Sequence, residues 1–271
     1  MHLIEVAFIL YFRAMAKITL IGAGRAATAL GKALLQKGHT VLQVWSRSAE
    51  AASTLADTLH ASAITDLKKI TPEADIYIIA VKDDAIETIA NELQVGDKII
   101  AHTSGIKSKE ALKQAGANYG IFYPFVSMTK EADIDFKNAL MMIEGSNDAT
   151  VTQLKSLATT ISGNVRIVQE AQRQSLHLAA VFANNFTNHM YAVAEEILAG
   201  KGMSFDDLRP LIAAHTSTVL QLSPSLLQTG PAIRHDSSTI DTHLSLLQQN
   251  EEIKRLYLTL TEAIQNRHKD T

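Results

Sequence analysis

The run Lys17-Ile18-Thr19-Leu20-Ile21-Gly22-Ala23-Gly24-Arg25-Ala26-Ala27 decides how this chain is read. A short, β-branched, mostly apolar segment ends at a glycine turn, which is the signature of a buried strand. Ala26 to Lys37 is rich in helix formers and stops at Gly38, a favourable residue just past a helix end. Between the two lies G-x-G-x-x-A. Gly22 permits the tight turn, Gly24 leaves no side chain where a phosphate must approach the backbone, and Ala27 is small enough for close packing of helix on strand. The exposed amides and dipole at the helix N-terminus favour an anion there. Gly22, Ala23, Gly24, Arg25, Ala26 and Ala27 therefore form a candidate phosphate-binding loop. The competing reading is a glycine-containing βα turn with no ligand.

Outward from this loop, strands alternate with helices. Thr40 to Val44, Ile76 to Val81, Lys98 to Ala101, Gly120 to Tyr123, Ala139 to Ile143 and Val165 to Val168 read as strands. Helices are expected from Ser48 to about Leu59, after Asp83 or Asp84, over Lys107 to Ala115 and over Asp148 to Ile161. Such alternation predicts an α/β domain of Rossmann type, with a mainly parallel, doubly wound sheet. Near Gln169 the pattern turns wholly helical: one long helix over Glu170 to Ala199, another from a Ser204/Asp207 cap to about Leu222, and two more over Thr239 to Gln249 and Glu251 to Arg267. The expected organisation is an N-terminal extension (1–14), a nucleotide-binding domain (15–168) and an all-helical domain (169–271). Met15, immediately before the first strand, is the expected natural start.

Composition narrows the function classes. Net charge is -3 over 271 residues, with 25 basic and 28 acidic side chains and no basic block, which disfavours nucleic acid as partner. There are no cysteines, so disulfides, thiolate metal sites and cysteine nucleophiles are excluded. His235 and His243 have no carboxylates at ligand spacing, and no metal is expected. The apolar segment Leu3 to Phe12 is too short to span a bilayer, and a cytoplasmic protein without membrane partner is expected.

The second strand bears on which nucleotide the loop would hold. It ends Val44-Trp45-Ser46-Arg47-Ser48, with no acid to accept from a ribose 2′-hydroxyl or to repel a 2′-phosphate. Ser46 and Ser48 can donate hydrogen bonds and Arg47 adds a fixed positive fork, so NADP(H) is expected over NAD(H).

Several segments then act together: Gly22-Ala23-Gly24, Ala80-Val81-Lys82-Asp83, His102-Thr103-Ser104-Gly105, Tyr123-Pro124, His177-Leu178-Ala179-Ala180-Val181 and Gly230-Pro231-Ala232-Ile233-Arg234. In them the chain resembles a family of Rossmann-like NADP oxidoreductases with a C-terminal domain of unknown function (DUF2520), distantly related to pyrroline-5-carboxylate reductase, ketopantoate reductase and the β-hydroxyacid dehydrogenases. The resemblance implies a helical second domain like those of 6-phosphogluconate dehydrogenases, and homodimerisation through it. It implies that Ala80, Val81 and Lys82 border the cofactor's ribose and nicotinamide, although Lys82 reads equally as a solvated loop lysine. By the same resemblance Thr103, Ser104 and Gly105 would hold a substrate carboxylate, and Tyr123 would join them.

Proton donors come from histidine. His102 ends an apolar run and is either a general acid or a structural residue bonded to backbone. On a helical wheel at about 100° per residue, His177, Asn184, Asn188 and Glu195 share one stripe, with Asn185 and His189 beside it. The β-hydroxyacid dehydrogenases carry a catalytic lysine four residues before an asparagine of this helix. Here Asn185 is kept, but Val181 stands at the lysine position, leaving His177 as the alternative acid. Arg234 could bind an anionic substrate group or pair with Asp236. The expected function is hydride transfer from NADPH to a small carbonyl or imine compound in the interdomain cleft. The alternative is a non-catalytic dinucleotide sensor that keeps the loop without turnover.

Overall fold

The computed structural model describes residues 15–128 and 134–269. The expected extension at 1–14 lies outside these residues. Strands β1 (Lys17–Ile21), β2 (Thr40–Trp45), β3 (Ser62–Ile64), β4 (Ile76–Ile79), β5 (Gly96–His102), β6 (Gly116–Phe125), β7 (Leu140–Gly145) and β8 (Asn164–Ile167) form one sheet in the order β3-β2-β1-β4-β5-β6-β7-β8. Pairing is parallel except between β6 and β7. The expected α/β class is borne out, with a helical C-terminal region after it.

Burial explains the sheet. The β4 sequence Ile76-Tyr77-Ile78-Ile79 is buried throughout. Its alternate residues feed two cores: Ile76 and Ile78 pack with Ile18, Leu20 and Leu30, while Tyr77 and Ile79 pack with Ile21, Trp45 and Ile86. A strand covered on both faces must be apolar at every position. Helices α1 (Arg25–Gln36), α2 (Ala49–Leu59), α3 (Ile86–Asn91) and α4 (Asp148–Ile161) accompany these strands. Asn147 and Ser48 cap α4 and α2 by accepting from Thr150 and Ala51 amides.

Two local expectations are corrected, and one strand is added. Lys107 to Ala115 forms only a 3-10 turn, Lys109–Leu112. The hydroxyls of Ser104 and Ser108 take the amides of Ile106, Lys107 and Glu110, offering the backbone partners other than helix. Strand β3, three residues at the sheet edge, was not anticipated, because two of its residues are exposed and no alternation marks it. The expected single helix from Glu170 to Ala199 is α5 (Glu170–Ala180), a π-helical turn (Val181–Phe186) and α6 (Thr187–Leu198). A π turn changes the residues per turn, so a stripe drawn at uniform spacing from His177 to Glu195 does not carry across it.

The chain divides into two compact units between Asn184 and Asn185, whereas strands give way to helices at the sequence boundary of 168/169. The second unit holds α6, α7 (Arg209–Val219), α8 (Ser237–Leu246) and α9 (Glu251–Arg267). Ser204 and Asp207 form the anticipated reciprocal cap ahead of α7, through an intervening 3-10 turn. No described helix is long and apolar enough to cross a membrane.

Candidate active site at the carboxyl edge of the sheet

Gly22 has φ +127°, and a Cβ there would collide with the carbonyl oxygen of Ala80. Its amide donates to the Trp45 carbonyl at 2.8 Å. The first turn is thereby pinned between β2 and the end of β4, in a conformation that favours glycine. Gly24 is the N-cap of α1 and supplies no side-chain cap, no acid occupies the first turn, and a Cβ there would meet nothing within 4 Å among the described residues. The leading amides of α1 thus face open space at the positive end of a helix dipole, which fits a pyrophosphate. A groove of about 1040 Å³ runs past this loop. Ser46 and Arg47 line one part of it, and Ala80, Val81 and Lys82 another. Ser48 caps α2 and is not among the lining residues. Asp66 does line the groove, but its carboxylate accepts from the Lys68 amide at 3.0 Å.

Strand order carries the site onward, from β1 through β4 to β5 and β6. The Thr103 amide donates to the Ile79 carbonyl at 3.1 Å, setting the turn after β5 beside the end of β4. His102 is fully buried. Its Nδ1 accepts from the Ser104 amide at 3.1 Å, so its Nε2–H donates to the Ser108 carbonyl at 3.2 Å. Burial lowers its pKa to about 4; the Ser108 bond partly offsets that, and Arg173 adds to the lowering. The imidazole is neutral, and its one proton is committed to the backbone. His102 therefore matches the structural of its two readings.

His177 is placed differently. Its Nδ1 lies 2.9 Å from the Tyr123 hydroxyl, and the rings are tilted with centroids 6.1 Å apart. Both rings crowd Gly105, where a Cβ would stand 2.8 Å from His177 Cγ and 2.9 Å from Tyr123 Cζ. Burial raises the Tyr123 pKa above its ordinary value; Arg173 opposes this and Asp83 reinforces it. The phenol therefore holds its proton at neutral pH. Ser104, Gly105, Tyr123 and His177 come together, with Thr103 adjoining. Asn184 and Asn185 lie exposed in the π turn, and Arg234 is exposed in the second unit.

One feature escaped the sequence reading. Arg173, fully buried, puts Nε 2.5 Å from Glu144 Oε1 and Nη1 3.2 Å from the Ser104 carbonyl. Lys109 adds a second cation 3.8 Å from Glu144. On the same helix face, Glu170 accepts from the Ser108 hydroxyl and Gln174 donates to the Ile106 carbonyl. Glu170, Arg173, Gln174 and His177 follow helical spacing, and all four grip the segment around residues 104–108 or its neighbour Tyr123. The available signal was Glu144 ending the apolar run Met141-Met142-Ile143, since a buried acid demands a partner.

Two family models match the chain. Residues 17–105 match "NADP oxidoreductase coenzyme F420-dependent", and residues 139–264 match the domain of unknown function DUF2520. An inferred NADP oxidoreductase from Bacteroides fragilis is 39% identical over 93% of this chain and 99% of its own, with a TM-score of 0.87. The chain belongs to this NADP oxidoreductase family. The family's cofactor is NADP(H), as the second strand led one to expect. A Thermotoga maritima protein (22% identity, 93% and 98% coverage, TM-score 0.68) shares the fold. So does a reductive aminase from Aspergillus terreus solved with NADPH and ethyl-5-oxohexanoate (16%, 94% of each chain, TM-score 0.71). No curated protein sequence matches significantly. Within the family's frame, the Gly22–Ala27 loop and the 80–82 turn of this chain are the residues that would hold the dinucleotide.

Proposed function

We propose that this protein is an NADP(H)-dependent reductase that brings a small carbonyl or imine compound to the carboxyl edge of β5 and β6. The observation that carries the reading is the loop itself. Gly22 is forced into its turn by β4, and Gly24 opens the uncapped amides of α1 onto a groove that reaches Arg47 on one side and Val81 on the other. Bound NADPH would supply the hydride. The chain's own part is to orient and protonate. Thr103 and Ser104 face the substrate's polar group, and the acid comes from the Tyr123/His177 side of the turn, because His102 has no proton to give.

The helical unit serves assembly in this reading. Among its described residues only Ala232 and Ile253 are buried, while Leu211, Leu220, Leu226 and Leu246 stand open. Such a unit completes its core against a second copy of itself, forming a homodimer.

Trp45, the sole tryptophan, lines the groove and provides the test. Energy transfer from Trp45 to reduced nicotinamide during titration should show NADPH binding more tightly than NADH. Ser46→Asp should reverse that order, since a carboxylate repels the 2′-phosphate and accepts from a 2′-hydroxyl. Tighter NADH than NADPH binding by the unaltered protein would contradict the assignment. NADPH binding with no oxidation by keto acids, aldehydes or cyclic imines would favour the sensor reading.

A further inference from the structure

We propose that Tyr123 is the catalytic residue that gives the proton to substrate, with His177 as its relay; this rests on the reductase reading above. Three observations converge on the pair. First, the hydroxyl–Nδ1 contact of 2.9 Å joins two half-buried side chains from separate elements, β6 and α5. A surface histidine–tyrosine contact would not require the absence of a side chain at Gly105, whereas here both rings occupy that space.

Second, α5 is held where the pair needs it. Glu170, Arg173 and Gln174, in the turns before His177, bind the segment after β5, so the imidazole position is set by several bonds. The charges that act on the Tyr123 phenol are Arg173, paired with Glu144, and Asp83 in the turn that follows β4. Third, β6 lies two strands from β4, about 10 Å across the sheet. That is close enough for a small substrate to bridge a nicotinamide at the 80–82 turn and the Tyr123 hydroxyl.

Hydride adds to the carbon of C=O or C=N, and the π pair moves to oxygen or nitrogen. That atom takes the hydroxyl proton of Tyr123. His177, as imidazolium, passes its Nδ1 proton to the phenolate as it forms, and solvent then re-protonates the imidazole. One proton and one hydride are consumed per NADPH oxidised.

Two measurements decide the matter. In the first, the ring signals of His177, assigned by their loss in His177→Gln, are followed by NMR against pH. The NADP⁺ complex should titrate at lower pH than the NADPH complex by about half a unit or more, because only the oxidised ring is cationic. Identical titration in both complexes would overturn the proposal. In the second, NADPH oxidation is measured with pyruvate, propanal and 1-pyrroline. With the acceptor reduced fastest, Tyr123→Phe should lower kcat about a hundredfold or more while KM and NADPH affinity stay within about threefold. His177→Gln should lower kcat less and remove the alkaline limb of its pH profile. A Tyr123→Phe variant keeping more than about a third of wild-type kcat would overturn the proposal even though the protein is a reductase. A wild type that binds NADPH but reduces none of the three would instead overturn the reductase reading, and this proposal with it.

Discussion

His102 shows how a single residue's role turns on where its proton goes. An imidazole whose Nδ1 accepts from one amide and whose Nε2–H meets a carbonyl is a backbone clamp, and charging it would break the Ser104 bond. Because its folded pKa lies near 4, below the ordinary 6.5, the unfolded chain binds a proton that the folded chain does not between those values. Stability from this group is therefore fully present above pH 6.5 and lost as pH falls toward 4, by at most about 3 kcal/mol. Urea unfolding at several pH values should show this slope in the wild type and a flatter one in His102→Gln. Equal slopes would mean that the imidazole is already solvated in the folded state. The glycine turn after β1 and the end of the second strand were legible because each rests on a local rule. The His102 assignment was not, because its partner Ser108 is set by a loop conformation rather than by spacing.

At the scale of elements, α5 is attached to the sheet unit by charge and hydrogen bonds, and its one buried residue is Arg173. Arg173 and Glu144 are both buried, and Arg173 Nη2 has no hydrogen-bond partner among the described residues. Removing one partner strands the other. Arg173→Met or Glu144→Leu alone should each cost about 3–5 kcal/mol in denaturant unfolding. The double variant should recover much of that loss, because an apolar pair carries no desolvation penalty. If the single variants are near neutral, the pair is solvated and does not fix the segment around residues 104–108. The sequence showed this helix as amphipathic and placed a polar stripe on it. That stripe runs toward the C-terminal half, where the π turn at Val181–Phe186 breaks the uniform periodicity. The contacts that matter lie on the preceding two turns, toward Glu170.

For the whole molecule, the contrast between the two units is one of core. The sheet unit buries whole strands, whereas exposed leucines dominate the helical unit, with Leu220 82% and Leu246 78% accessible. Light scattering should give twice the chain mass for the wild type, and Leu220→Lys with Leu246→Lys should shift it toward monomer. A wild type that is monomeric at high concentration would remove the dimer from the account. The sequence alone determined the α/β class, the glycine turn between β1 and α1 and the absence of an acid after β2, because strand burial, turn chemistry and charge act over a few neighbouring residues. Only the tertiary structure decided that His102 is spent on backbone, that Tyr123 meets His177 over Gly105, and that Arg173 is buried against Glu144. Those contacts join positions far apart in the chain, and which of them form depends on strand order and helix register, which no local pattern of residues encodes.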